Sequence, residues 1–106
     1  MDIDDIIKAF GALAQDTRLK ILHLLIDSGA GGLPAGDISL ALGIPQNTLS
    51  FHLSHLENAD LVRRRRAGRF IIYSAHEKTV DELILYMAEN LRPAVQPQEK
   101  ASQGGA

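Results

Sequence analysis

The sequence predicts a mainly α-helical domain that carries one β-hairpin, with about five helices and two to three short strands. Three observations carry that prediction. Apolar residues recur at helical spacing from Ile3 through Leu56. The period changes after Ala59, where two strand-like runs flank Ala67-Gly68-Arg69, a turn that contains glycine. A final amphipathic stretch then carries Val80, Leu83, Ile84, Met87, Ala88 and Leu91 on one stripe.

The elements follow in order. Residues 1–14 read as a helix with Ile3, Ile6, Ile7, Phe10, Leu13 and Ala14 on one side and the acids with Lys8 on the other. Asp16 is placed to cap a second helix bearing Leu19, Ile21, Leu22, Leu25 and Ile26. Ser28-Gly29-Ala30-Gly31-Gly32-Leu33-Pro34 breaks it. A short third helix is expected over 35–42, stopped by Gly43, and a fourth over 45–59, because proline suits a first helical turn. Leu49, Leu53 and Leu56 form the buried stripe of that fourth helix. Two short helices joined through a glycine-containing turn are the helix-turn-helix pattern. Strands are expected over 61–66 and 70–74, and the last helix over 77–92.

The chain has 106 residues, enough for one domain, with 45% hydrophobic and 23% charged residues as in ordinary soluble globular proteins. No apolar run nears the roughly 18 residues that a membrane span needs. The start, Met1-Asp2-Ile3-Asp4-Asp5, is acidic, whereas a secretory signal begins basic and turns apolar. There are no cysteines, which excludes disulfides and thiolate chemistry. A cytoplasmic location is expected. Residues 1–92 are expected to form the folded unit, and the proline-, glutamine-, serine- and glycine-rich stretch 93–106 a disordered tail.

Net charge is −2, yet its distribution matters more than its sum, because a polyanion meets one face of a protein. From Asp16 to Ala75 there are seven basic residues against five acidic ones, while the ends carry four against eight. Arg63, Arg64, Arg65, Arg66 and Arg69 lie together in the hairpin. Alternation along a strand puts Arg63 and Arg65 on one face and Arg64 and Arg66 on the other, so these four cannot all meet one partner. Arg69, at the turn, is best placed to reach a DNA backbone or a minor groove, with Arg64 and Arg66 next.

With Leu49, Leu53 and Leu56 turned inward, about 100° per residue leaves Asn47, Ser50, Phe51, Ser54 and Asn58 outward, with Thr48 and His55 at the margin. Small polar side chains can approach base edges, and asparagine pairs bidentately with adenine. Phe51 suits a thymine methyl, and the helix start at Gln46 and Asn47 offers N–H groups to phosphate. The expected DNA contacts are therefore Gln46, Asn47, Thr48, Ser50, Phe51, Ser54, His55, Arg64, Arg66 and Arg69. Such an interface makes a solvated polar face, the blander reading of this helix, a poor account of the basic hairpin beside it.

The chain resembles the ArsR/SmtB-type winged helix-turn-helix repressors of bacteria from about Ile7 to Leu91. The resemblance rests on Ala12-Leu13-Ala14-Gln15-Asp16-Thr17-Arg18-Leu19-Lys20-Ile21-Leu22, on Gly36-Asp37-Ile38 and on Asn47-Thr48-Leu49-Ser50-Phe51-His52-Leu53. It continues through Leu61-Val62 and through Gly68-Arg69 ahead of the apolar strand that ends in Tyr73. It implies a homodimer built from the first and last helices, the fourth helix in the major groove, and repression relieved by an inducer. The apolar stripes of the terminal helices fit such a dimer, through Ile3, Ile6, Ile7, Phe10, Val80, Leu83, Ile84, Met87 and Leu91, since a small core cannot cover them all.

The metal-sensing motifs of that family are missing. Pro34 and Gly36 stand where arsenic and cadmium sensors carry Cys-x-Cys. The last helix has only His76 at its start, against the Asp-x-His and His-x-x-Glu of zinc sensors, and ends in Asn90-Leu91-Arg92 rather than Asn-Cys-Cys. No metal or cofactor is expected, since soft ions select thiolates. His52 and His55 are spaced to share an ion, but two ligands alone seldom make a site. His52 is expected at the edge of the core, His55 partly exposed near DNA, and His23 on a helix surface. That leaves two kinds of signal open, a small-molecule inducer of unknown identity or redox control exerted on another protein.

No catalytic constellation is present. Gly29-Ala30-Gly31-Gly32 lacks the lysine and strand of a phosphate loop, and Asp81 and Glu82, adjacent on a helix, point apart. The expected function is sequence-specific transcriptional regulation, as a repressor occupying a promoter. Two alternatives stand beside it. One is the same fold without an inducer, a constitutive or antitoxin-like regulator; the other is a protein-interaction module whose basic hairpin binds an acidic partner.

Overall fold

A computed structural model describes residues 1–93, so the expected tail lies outside the described residues from position 94 onward. Five helices and three strands follow one another as α1 (Ile3–Leu13), α2 (Asp16–Ser28), β1 (Leu33–Pro34), α3 (Ala35–Leu42), α4 (Gln46–Asn58), β2 (Val62–Ala67), β3 (Phe70–Ala75) and α5 (Glu77–Asn90). The helix ends differ from expectation by one or two residues, which is the ordinary uncertainty of frayed termini.

Local chemistry accounts for the ends. Asp2 caps α1: its carboxylate accepts from the Asp5 N–H at 2.9 Å, and Asp5 accepts from the Asp2 N–H at 3.3 Å. For α2 the cap is one residue earlier than expected. Gln15 is extended and accepts the Arg18 N–H at 2.8 Å, so Asp16 becomes the first helical residue and its carboxylate accepts from Thr17 N–H at 2.7 Å. Asp16 still serves the helix, because a negative charge in the first turn complements the helix dipole. Helix α3 ends at Gly43, whose φ of 65° is left-handed, and a turn of three residues ends in Pro45, the N-cap of α4 rather than its first residue.

The strands form one antiparallel sheet in the order β1-β3-β2. Ala67 pairs with Phe70, leaving Gly68 and Arg69 as a two-residue loop with Gly68 at φ 61°. Glycine first in such a loop matches the twist of the flanking strands. Strand β1 arises inside the run expected only to break α2. Leu33 pairs with Tyr73 and Pro34 with Ile72, and Pro34 is tolerated because β1 is an edge strand. Gly32 makes that approach possible, since a Cβ there would run into the Tyr73 carbonyl.

The core sits between α2, α3, α4 and the sheet. Ile21, Leu25, Ile38, Leu49, Leu53, Leu56 and Leu61 are its largest fully buried side chains, each contributing roughly 1.5–3 kcal/mol through burial. Ile6 of α1 and Leu83 of α5 also belong to it, at 3% exposure each. The chain turns around Asp60, at φ 60°, whose carboxylate accepts from Thr79 Oγ1 at 3.2 Å and lies 3.2 Å from His76 Nδ1. The end of α4 is thereby tied to the start of α5.

Candidate nucleic-acid interface

Helix α4 is divided lengthwise. Leu49, His52, Leu53 and Leu56 are buried, while Gln46, Asn47, Thr48, Ser50, Phe51, Ser54, His55 and Asn58 are exposed. The division follows from leucines at helical spacing that pack on α2 and α3 and leave the opposite side uncovered. The Asn47 side-chain oxygen accepts the Thr48 N–H at 2.9 Å, which leaves its amide NH2 outward. Phe51 is 59% exposed and stands edge-on to His55, ring centroids 4.7 Å apart, and to His52 at 5.4 Å. An aromatic ring braced by two imidazoles is held rather than free to collapse onto the surface.

The sheet register shows which side of the hairpin each arginine occupies. Val62, Arg64 and Arg66 share a face with Ala75, Tyr73 and Ile71, and the burial of Val62 and Tyr73 turns that face toward the body of the domain. Arg64 Nε pairs with Glu57 of α4 at 3.2 Å. Arg66 Nε donates to the Gly68 carbonyl at 3.4 Å, stiffening the hairpin loop. On the other face Arg65 donates to the Gly31 carbonyl at 3.2 Å. Among the described residues Arg63 and Arg69 have neither an ion-pair nor a hydrogen-bond partner from their guanidinium groups. The hairpin from Val62 to Ala75 holds five arginines and no acid. It lies beside the exposed face of α4, which the Arg64–Glu57 pair links to it.

Phe70 escaped the sequence reading. It is 60% exposed next to Arg69, and only the pairing with the small Ala67 places it where no neighbour covers it. Arg18, which approaches α4 from behind, was also missed, because its partners are distant in sequence.

The expected dimer residues divide as well. Ile6 and Leu83 turn into the chain's own core, Phe10 and Val80 are half-buried, and Ile3, Ile7, Ile84, Met87 and Leu91 stay exposed by 39% to 60%. Among the described residues, no group of three or more His, Asp or Glu lies close enough to hold a metal ion. No helix there is long and apolar enough to cross a membrane.

A family model described as a helix-turn-helix domain matches residues 13–65, half of the chain. The transcriptional repressor SdpR of Bacillus subtilis is 36% identical over 78 residues, covering 74% of this chain and 83% of that protein. The chain belongs to the ArsR/SmtB-type family of winged helix-turn-helix transcriptional regulators. The regulator is also 40% identical over 83 residues to the HTH-type transcriptional regulator NmtR of Mycobacterium tuberculosis, covering 76% of this chain and 67% of that one. Its fold matches a homodimeric winged helix-turn-helix DNA-binding domain from Mycobacterium bovis, described as a possible ArsR-family regulator. That match has a TM-score of 0.67 and 25% identity, over 89% of this chain and 90% of the other. In family terms the β2–β3 hairpin is the wing.

Proposed function

We propose that this regulator represses transcription by occupying promoter DNA as a homodimer. Helix α4 enters the major groove, where Asn47, Thr48, Ser50, Phe51, Ser54 and His55 face base edges, and Gln46 at its start faces phosphate. The wing follows the adjoining backbone. Arg69 leads, Arg66 supports the loop, and Arg64 joins by exchanging Glu57 for a phosphate, since a partly exposed ion pair holds only about 0–1 kcal/mol. Free Arg63 adds positive charge on the other face. Two copies pair through the exposed Ile3, Ile7, Ile84, Met87 and Leu91, with Phe10 and Val80 at the margin of that contact. The two α4 helices then fall on half-sites about one helical turn apart.

The observation that carries this reading is an uncovered polar face of α4 beside an acid-free wing of five arginines. Its test is fluorescence anisotropy of labelled duplexes at increasing salt. The logarithm of affinity should fall linearly with the logarithm of salt concentration, by close to one unit per neutralised phosphate. Binding to an acidic protein with no salt-dependent binding to any duplex would instead favour the hairpin as a protein-interaction module.

A further inference from the structure

A buried histidine occupies the back of α4, where the DNA-facing surface does not reach. His52 is 8% exposed, and its Nδ1 lies 3.3 Å from Arg18 Nη1. A guanidinium has donors only, so Nδ1 accepts and the ring proton sits on Nε2. Arg18 Nε also donates to the Ala12 carbonyl, in the last turn of α1, at 2.6 Å. The Arg18 backbone is held in turn by Gln15. One rigid planar group therefore spans the carboxyl end of α1 and the buried side of α4, a geometry that a flexible ammonium could not reproduce.

We infer that Arg18 is a positioning residue for DNA recognition: by bridging Ala12 and His52, it sets the angle at which α4 presents Asn47, Ser50 and Phe51 relative to α1. This rests on the reading of α4 as the DNA-facing helix. Because α1 carries part of the proposed dimer contact, the bridge also refers each α4 to the pairing of the two copies. The wing contacts do not pass through Arg18, so they are independent of it.

The bridge has a protonation requirement. A charged His52 would set N–H against N–H and cation against cation, and the contact would open. The groups facing His52 are Arg18 of α2, Asp16 at the start of α2, and His55 and Phe51 of its own helix. Burial, then Arg18, then His55 hold the imidazole below its ordinary 6.5, with Asp16 opposing them. A lowered pKa means that the open or unfolded form takes up the proton first. The bridge is thus fully present above pH 6.5 and is lost as pH falls from there through the folded-state value.

The test compares affinity for a duplex that the full-length wild-type protein enriches from a randomised pool with affinity for a scrambled duplex. The ratio is followed from about pH 8 to about pH 5.5, across the histidine range. Taking a ratio removes any change in affinity that is common to both duplexes. In the wild type the ratio should fall as pH drops below 6.5, by at most about tenfold, the worth of one hydrogen bond to a charged group. His52→Gln, whose amide oxygen accepts from Arg18 at every pH, should keep the ratio near its upper value and flatten the profile. Arg18→Met should lower the ratio about tenfold at all pH values with scrambled-duplex affinity unchanged.

A wild-type pH slope retained by His52→Gln, or a wild-type ratio retained by Arg18→Met, would overturn the inference while leaving the DNA reading intact. If Arg18→Met loses its helical circular dichroism, the His52→Gln profile decides alone. A wild type that enriches no duplex overturns the DNA reading and this inference with it.

Discussion

Helix α4 and the terminal helices α1 and α5 are alike in exposing one long face and unlike in what they expose. The α4 face is polar and lies beside the cationic wing. The α1 and α5 faces carry isoleucine, methionine and leucine exposed by about half. Water satisfies the first and not the second. A polar face can wait unpartnered, so it suits a partner that comes and goes, as a repressor's DNA does. An apolar face of this extent favours a lasting cover, and a second copy supplies one with matching chemistry. On the proposed function, the difference teaches that this small domain would keep separate surfaces for assembly and for recognition, with the Arg18 bridge and the Asp60–His76–Thr79 contacts lying between them.

The comparison breaks most visibly on α5, where neighbours in sequence do different work. Leu83→Ala removes a side chain from the chain's own core and should cost about 2–5 kcal/mol of folding stability in denaturant titrations. Ile84→Glu combined with Met87→Glu should leave the helical circular dichroism in place while the sedimenting mass drops from dimer to monomer. An unchanged mass would remove the apolar face from the proposed assembly.

Within the proposed DNA-facing surface, base-reading and backbone-holding residues should separate in kind. Asn47→Ala or Ser50→Ala should cost about 1–3 kcal/mol on the cognate duplex and little on a scrambled one. Arg69→Ala should weaken both equally and reduce the salt slope by about one. A preference for the cognate duplex that changed with Arg69→Ala would place the wing in sequence reading. The smallest effect is expected at the seam between the two. Glu57→Gln frees Arg64 and should strengthen binding to any duplex by under about 1 kcal/mol, the worth of a partly exposed pair, as seen by anisotropy at low salt.

Much of this was legible in the sequence because its causes are local. The buried stripe of α4 follows from leucines at helical spacing, so its outward residues could be named from one helix's geometry. Gly43 and Pro45 mark the turn between α3 and α4, and Gly68 the tip of the wing, through backbone conformations that few other residues adopt. The Gln15 cap was not legible in the same way. Asp16 is the stronger capping type, and only the path of the chain out of α1 shows Gln15 extended and Asp16 already helical.

The sequence by itself determined the order of the helices, the hairpin, the polar face of α4 and the concentration of arginine beside it, since periodicity and charge pattern are properties of neighbours along the chain. Tertiary structure alone decided which arginines keep partners, because alternation says that Arg64 and Arg65 point apart but not which side Tyr73 turns to the core. It decided that Ile6 and Leu83 turn inward while Ile7 and Ile84 do not, since both members of each pair sit on the same apolar stripe. It made a strand of Leu33 and Pro34 by pairing them with β3. It also brought Arg18 to His52 across 34 residues, a contact that exists only because α2 and α4 pack against one another.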